Sequence, residues 1–477
     1  MALRPGNHKA HNVGLGQGGE MLSQKVSEEL REIVGEEDYL SGPEDLMAYS
    51  YDAYLPDALP DAVVFPTSTE EVSSVMKVAY REEIPVTPRG AGTNIVGGTL
   101  PLRGGIVLCL TKMNRILEVN PEDRYAVVEP GVVNGDLQKE AAKYGLFYPP
   151  DPASLNVSTI GGNVAENAGG PRGVKYGVTR DYLLGLTVVL ADGRVIHTGG
   201  KTTKNVTGYD LTGLFCGSEG TLGIVTSITV KLIAKPEAQK SIQAIFETLD
   251  GAGKAVSSIM ASGIVPVALE LMDSTVMKLI EESHRIGLPI DAEGLLLIQV
   301  DGSKDSVERE AQRVAQFCRE NGAREIRVSR EAKDEEILWF ARRTAFGVMA
   351  RARPNCIVED VTVPVSKLPA MVREITELAA RHRVTVGVLA HAGDGNMHPL
   401  ILFDKRDREE MERVEKFTED LFSKAVELGG TLSGEHGIGL AKERFLNMVM
   451  TPETREVLRQ IKKSLDPKGI LNPGKFV

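Results

Sequence analysis

An α+β fold in two parts is what the sequence predicts: a first domain of mixed strands and helices joined by glycine-rich loops, then a domain built on an antiparallel sheet. Three observations carry this. Short Val/Ile/Leu runs alternate with helices up to about Leu232, and the loops between them gather the glycines. Beyond Pro236 the order strand-helix-strand-strand-helix-strand appears, that of a ferredoxin-like unit, and then begins again. A chain of 477 residues is also too long for one compact core.

In chain order, residues 1–20 (MALRPGNHKAHNVGLGQGGE) lack the continuous apolar stretch of a signal peptide and read as a disordered or vector-derived extension. Residues 21–235 form the first domain. AVVFP is a strand, and Thr67 followed by Glu70 reads as a capping box that opens the helix STEEVSSVMKVAYREE. IPVTP, GIVLCL, ILEVN and YAVVEPG are further strands, and LLGLTVVLADGRVIHTG is a hairpin turning at Asp192-Gly193.

Residues 236–430 hold the strand SIQAIFE, the helix GAGKAVSSIMASG, the strands VPVALELMD and GLLLIQVDG, the helix SVEREAQRVAQFCREN and the strand REIRVSR. A second unit follows with IVEDVTVP, the helix KLPAMVREITELAARH, the strands VTVGVLAH and MHPLILFD, and the helix REEMERVEKFTEDLFSKAVELG. Two βαββα repeats sharing one antiparallel sheet are therefore expected. Residues 431–477 carry a loop that packs back on the first domain and the helix TPETREVLRQIKKSLDPKG, which ends at Asp466-Pro467 because the residue before proline is driven out of helical geometry.

Composition narrows the function classes. With 42% hydrophobic and 25% charged residues the chain has the balance of an ordinary soluble protein, so its 49 glycines speak for tight turns and close backbone approach to a ligand rather than low complexity. A net charge of -11 without a Lys/Arg stripe argues against nucleic acid as a partner. No run of about 18 apolar residues exists to span a membrane. Cys109, Cys216, Cys318 and Cys356 form no CxxC pair, which disfavours disulfides and cysteine-ligated zinc or iron-sulfur sites and fits a reducing cytoplasm.

Three glycine loops stand out. PRGAGTNIVGG follows the strand-like IPVT and could turn backbone N–H groups toward an anion, although it does not match GxxxxGK[ST] and no βαβ dinucleotide unit surrounds it. STIGGNVAENAGGPRGVKYG and CGSEGTLGIVTSITV supply two more. Three such loops in one domain suit an extended cofactor with a pyrophosphate and a flat ring.

HAGDGNMH places two of the eight histidines around a Gly-Asp-Gly-Asn turn, so His391 and His398 fall near the ends of facing strands. TLSGEHGIG adds Glu435 and His436. Two imidazoles and a carboxylate suit zinc, and three protein ligands with an open position mark a catalytic rather than structural site; a plain buried Glu–His hydrogen bond is the alternative. Arg342 and Arg343 lie on the predicted helix EILWFARRTAFGVMAR, where a guanidinium could grip a carboxylate in bidentate fashion or simply face solvent.

PRGAGTN, PPDPAS, STIGGNVAENAGG, the pair Gly177 and Asp181, and SEGTLGIVT resemble, in this order and spacing, the FAD-binding domain of the vanillyl-alcohol oxidase and p-cresol methylhydroxylase (PCMH) superfamily. The downstream motifs look like its branch of glycolate oxidase flavin subunits, D-lactate dehydrogenases and D-2-hydroxyglutarate dehydrogenases. The resemblance covers nearly everything from Tyr39 to Val477 and implies a PCMH-type FAD-binding domain plus a cap domain. By that resemblance Pro88, Arg89, Gly90, Ala91, Gly92, Thr93 and Asn94 contact the pyrophosphate. Ser158, Thr159, Gly161, Gly162, Asn163, Asn167 and Gly169 would run along the ribityl chain and ring, with Pro152 and Gly177 in neighbouring motifs. Glu219, Gly220, Gly223 and Ile224 would close from the other side. Neither His nor Cys occurs in the first two segments, so FAD is expected to be non-covalent.

The resemblance further implies that His391, His398 and Glu435 bind a divalent metal, usually zinc, and that His436 is the base; an imidazole is expected to titrate near neutral pH. Arg342, in a Trp-x-x-Arg pattern, would bind substrate, and Asn396 would touch substrate or flavin. The implied activity is oxidation of a 2-hydroxy acid to the 2-oxo acid by hydride transfer to flavin N5. Val358-Glu359-Asp360 stands where some 2-hydroxyglutarate enzymes carry Lys-Tyr-Asp, which favours a small monocarboxylate, D-lactate first and glycolate second. Electrons would pass to a separate acceptor, an electron-transferring flavoprotein or an iron-sulfur or quinone-linked partner, with a hetero-oligomer as one form. An oxygen-using flavin alcohol oxidase, a D-2-hydroxyglutarate-type dehydrogenase and a non-catalytic FAD-binding subunit stay as alternatives.

Overall fold

Three large sheets, with a two-stranded pair of Leu146–Phe147 and Ile233–Ala234 beside them, carry the fold of the residues described by the computed structural model, which are 22–54, 57–330 and 332–476; the expected extension at residues 1–20 lies outside them. In the first sheet Tyr39–Leu40, Ala62–Val64, Ile106–Cys109 and Val86–Arg89 lie side by side, the last three parallel. Parallel strands are buried on both faces and so read as unbroken apolar runs. Val64, Val86 and Leu108 pack with Val72, Val75 and Met76 of the helix Thr69–Glu82, whereas Val63, Val107 and Cys109 form a separate cluster with Phe65. That helix is capped by Ser68 rather than Thr67: Ser68 Oγ accepts the Glu71 N–H, and Glu71 reaches back to the Thr67 N–H at 2.7 Å. The side-chain cap is thus real but shifted by one residue, and Glu71 bonds the residue before the cap rather than closing a capping box on Ser68.

The second sheet is antiparallel, in the order Ile116–Asn120, Tyr125–Val128, Ile224–Lys231, Leu183–Val189, Val195–Gly199. Its hairpin turns at Asp192-Gly193, where Gly193 has φ +82°, as the sequence predicts. IVTSITVK, which the sequence presents as the tail of a glycine loop, is instead a central strand with alternate residues buried. The preceding residues 216–223 therefore enter at the end of a central strand, and Ser218, Glu219, Gly220 and Gly223 among them face the cavity described below.

The third sheet has the order Ala323–Val328, Ala238–Phe246, Gly294–Gly302, Ala268–Asp273, Thr385–His391, Asn396–Phe403, Asn355–Val358, with Val361–Thr362 also paired to Asn396–Phe403. Numbered within each repeat, the strands run 4-1-3-2 and then 2-3-1, so the repeats meet through their second strands. The core cluster on one face joins sheet residues such as Leu271 and Ile298 to Ile259, Val314, Ile375, Phe417 and Leu421 of four helices. The other face packs Met277 and Ile280 of Ser274–His284 and Met349 of Ala332–Ala352. The helix Ser274–His284 occupies what the sequence presents as a plain strand-to-strand connection. IVEDVTVP splits into two strands at Glu359-Asp360.

After Arg408–Glu427 the chain returns to the first two sheets. The Leu440 N–H bonds the Val96 carbonyl at 2.9 Å, and Leu471 bridges Val86 in parallel. The helix Pro452–Leu465 ends at Asp466, as expected. Among the described residues no helix is long and apolar enough to cross a membrane, and all four cysteines are unpaired.

Candidate active site

Residues from the three large sheets line one cavity of about 960 Å³, near the top of the roughly 300–1,000 Å³ range of ligand pockets. Pro88, Arg89, Gly90, Ala91, Gly92, Thr93 and Asn94 form part of its wall, as do Pro152, Thr159, Gly161, Gly162, Asn163 and Gly169. Glu219, Gly220, Gly223 and Ile224 line it as well. The glycines let these segments touch: a Cβ on Gly90 would stand 2.4 Å from Thr159 Oγ1, and one on Gly220, at φ +67°, 2.4 Å from Pro88 Cγ. Residues 160–166 are not a loop but a short helix capped by Thr159, whose Oγ1 accepts the Gly162 N–H.

Three of the expected cofactor residues lie off the wall. Asn167, left-handed at φ +53°, accepts the Arg180 N–H on its side chain and ends the short helix. Gly177 turns the chain at φ +80° beside Asp181, which accepts the Val178 N–H. Ser158 is buried, and its carbonyl accepts the Asn134 N–H. On the wall itself, Asn163 Nδ2 and Glu166 Oε2 are buried without a protein partner, so the cavity offers polar atoms suited to a polar cofactor.

His391, His398, Glu435 and His436 line the same cavity, with Arg342 and Arg343 from the helix Ala332–Ala352. In the hairpin register His391 faces Asn396 and His398 faces Leu389, which puts the two histidines diagonally on one face with ring centroids 4.9 Å apart. Glu435 Oε1 is 3.2 Å from His391 Nε2 and 3.3 Å from His398 Nε2. One ligand atom from each of the three lies within 4.8 Å of the others, a donor set of the kind zinc takes. The His436 ring stacks on His398 at 4.8 Å and 14°. A Cβ on Gly169 would reach 2.6 Å from Glu435 Oε2, so the proposed cofactor wall abuts this cluster directly.

Two carboxylates to which sequence reasoning gave no part in the cluster organise it. Glu270 pairs in register with His391. Its Oε1 lies 2.7 Å from His391 Nδ1, and its Oε2 accepts Arg342 Nε–H at 2.7 Å. The available signal was a carboxylate in the middle of ALELMD, a strand buried at all six positions. Asp360 is fully buried, and its Oδ2 accepts Ser433 Oγ–H at 2.7 Å and the N–H groups of Gly434, Glu435 and His436 at 2.9, 3.0 and 2.9 Å. Asn396 donates to Asp360 Oδ1 and to Thr362 Oγ1; it is buried off the cavity wall and braces Asp360. Glu219 performs the same task from the other side, accepting the Ile438 and Gly439 N–H groups at 2.8 and 2.7 Å.

Electrostatics follow this packing. Burial alone would push the Glu435 carboxyl up, but His391 and His398 outweigh it and hold it well below the usual carboxylate range. Burial likewise opposes charge on His391, yet Glu270 and Glu435 raise it well above the ordinary imidazole value. His436 differs from the expectation of near-neutral titration: burial dominates Asp360's opposing field and pushes it down to about 4.

Residues 60–199 match the FAD binding domain family, and residues 235–476 match the C-terminal domain of FAD linked oxidases. The chain is 45% identical over 457 residues to the glycolate oxidase subunit GlcD of Bacillus subtilis (strain 168), spanning 96% of this chain and 97% of that protein. It is 37% identical over 431 residues to a D-lactate dehydrogenase of Anaerostipes hadrus, spanning 88% and 90%. The solved structure of p-cresol methylhydroxylase with substrate bound shares the fold, with a TM-score of 0.76 at 22% identity over 94% of this chain and 96% of that one.

Fold and cavity together define a PCMH-type flavoprotein, an FAD-linked oxidoreductase. Within that class the chain belongs to the FAD-linked oxidases, in the branch that contains the glycolate oxidase flavin subunits and D-lactate dehydrogenases.

Proposed function

We propose that this protein oxidises a small 2-hydroxy acid to the 2-oxo acid. The observation that supports this reading is the convergence of His391 Nε2, His398 Nε2 and Glu435 Oε1 at one place on the cavity wall, with His436 stacked beside them and Arg342 lining the same space. Glycolate stands before D-lactate here, the reverse of the order the motifs favour, because the glycolate oxidase subunit is the more identical of the two relatives. Residues 21–235 bind non-covalent FAD, residues 236–430 cap the substrate, and residues 431–477 bring Glu435 and His436 back to the cofactor.

FAD, when bound, supplies a hydride acceptor at N5. A divalent metal held by His391, His398 and Glu435, zinc being suited to that set, would supply positive charge at the substrate hydroxyl. Arg342 commits Nε to Glu270 and keeps its terminal nitrogens for the substrate carboxylate. His436 takes the hydroxyl proton as hydride leaves C2. Scattered cysteines leave no internal iron-sulfur relay, so the electrons go to a separate acceptor, an electron-transferring flavoprotein or an iron-sulfur or quinone-linked partner within a hetero-oligomer.

A larger D-2-hydroxy diacid of the hydroxyglutarate type is the second reading. Arg172 lines the cavity with Nη1 buried and without a partner, and Arg343 lines it too, so a second guanidinium is at hand for a second carboxylate. Anaerobic bleaching of the flavin absorbance with a panel of D- and L-2-hydroxy acids, before and after chelation, tests both readings. Glycolate and D-lactate should bleach fastest, and chelation should stop them until zinc is restored. Faster bleaching by D-2-hydroxyglutarate selects the diacid, survival of bleaching through exhaustive chelation removes the metal, and stoichiometric hydrogen peroxide in air marks an oxidase.

A further inference from the structure

We propose that Glu270 is a positioning residue that couples the candidate metal centre to the substrate arginine, an inference that rests on the roles assigned above to His391, His398, Glu435 and Arg342. Glu270 is fully buried in the strand Ala268–Asp273, at the seam where the two repeats of the cap sheet meet. A buried carboxylate is tolerated when its oxygens are matched by donors, and here each oxygen has one. Oε1 takes His391 Nδ1 and Oε2 takes Arg342 Nε, both at 2.7 Å.

The two contacts have different consequences. A proton held on Nδ1 by Glu270 makes Nε2, the nitrogen 3.2 Å from Glu435, the atom that would ligate a metal, fixes the ring, and would make the imidazole a stronger ligand. The contact at Nε fixes the plane of the Arg342 guanidinium, whose rigid fork then presents its terminal nitrogens in one orientation. Arg342 arrives on the helix Ala332–Ala352 and His391 on the strand Thr385–His391, so a single side chain aligns two elements that no local sequence signal relates. Mere neutralisation of a buried arginine would need only one of these contacts.

The test compares full-length FAD-loaded wild type with Glu270→Gln, which keeps the side-chain volume but cannot accept at both positions. Zinc retention is measured against a competing chromophoric chelator, and carboxylate binding by titrating oxalate, which cannot be oxidised by hydride loss, while following the flavin spectrum. Coupling predicts that zinc affinity falls by about 10- to 100-fold and that oxalate binding weakens by about tenfold, with FAD retained. Wild-type values for either quantity in Glu270→Gln overturn it. Should Glu270→Gln fail to fold, side-chain 15N spectra of zinc-loaded wild type decide: ligation of His391 through Nε2 with a proton on Nδ1 supports the proposal, and ligation through Nδ1 overturns it. If wild type retains no zinc under any condition, the metal reading itself falls, and the oxalate comparison still decides the arginine contact.

Discussion

Asp360 Oδ2 accepts the backbone N–H of His436 at 2.9 Å, and through the same oxygen it holds Gly434 and Glu435 as well. A fully buried carboxylate thus sets the path of the loop that delivers both a candidate metal ligand and the candidate base. Asp360→Asn removes the charge that three N–H groups and one hydroxyl share. Because a base displaced by about 1 Å can lose about 100-fold in rate, flavin reduction should fall by at least that much, with FAD still bound; stopped-flow absorbance under anaerobic conditions checks it. A rate within a few-fold of wild type would show that the loop holds its shape without Asp360.

His436→Ala should cut the rate of flavin reduction by about 10²- to 10⁴-fold, the usual contribution of a general base. The His436 ring stacks on His398 and approaches Glu435 and Asp360 no closer than 3.9 Å, outside the set His391, His398 and Glu435, so zinc content should change little. Rapid-reaction kinetics and metal analysis on one preparation separate proton transfer from metal binding. Undiminished reduction sinks the assignment.

Gly220→Ala places a Cβ 2.4 Å from Pro88 Cγ at a residue whose φ is +67°. The left-handed backbone alone costs an L-residue about 1–2 kcal/mol, and relieving the clash must move the loop that begins at Pro88. Weaker FAD retention on ultrafiltration is expected, together with a lower melting temperature. Full retention of FAD at unchanged stability would mean that the two walls are less tightly opposed than their packing indicates.

Asp273 supplies a pH dependence of stability away from the histidine cluster. Its carboxylate caps the helix Ser274–His284 by accepting the Val276 N–H at 2.9 Å, yet burial pushes its pKa up to about 6 from an ordinary 3.8. A folded-state value above the unfolded one means that the contribution is fully present below about pH 4 and is lost as pH rises through about 6. At 1.36 kcal/mol per unit the loss is at most about 3 kcal/mol. Asp273→Asn keeps the acceptor and cannot ionise, so its melting temperature relative to wild type should rise between pH 4.5 and pH 7.5; a difference independent of pH would count against the shift.

The candidate site residues were largely legible in the chain itself. HAGDGNMH and GEHGIG contain the convergent side chains, and strand alternation around a short turn is enough to bring His391 and His398 to one face, because both rules are local. The repeat order of the cap sheet was legible for the same reason. Local signals were less sure where two patterns overlap: STIGGNVAE looks like a loop because glycine lowers helix propensity, and the helix forms because Thr159 caps it and tertiary packing covers it. The Thr67 capping box missed by one residue, since Ser68 and Glu71 satisfy the same spacing.

What the sequence by itself determined is the set of candidate site groups, the glycines that allow close walls, and most of the secondary structure that carries them. Only the tertiary structure decided how they are held. Glu270 meets His391 across the seam of two repeats, 121 residues apart, and Asp360 meets His436 across 76, contacts that depend on strand order and chain return rather than on any periodicity. It also moved Asn396 from the expected cavity wall to a brace behind it, because a buried amide is placed by the donors and acceptors around it, and those come from distant parts of the chain.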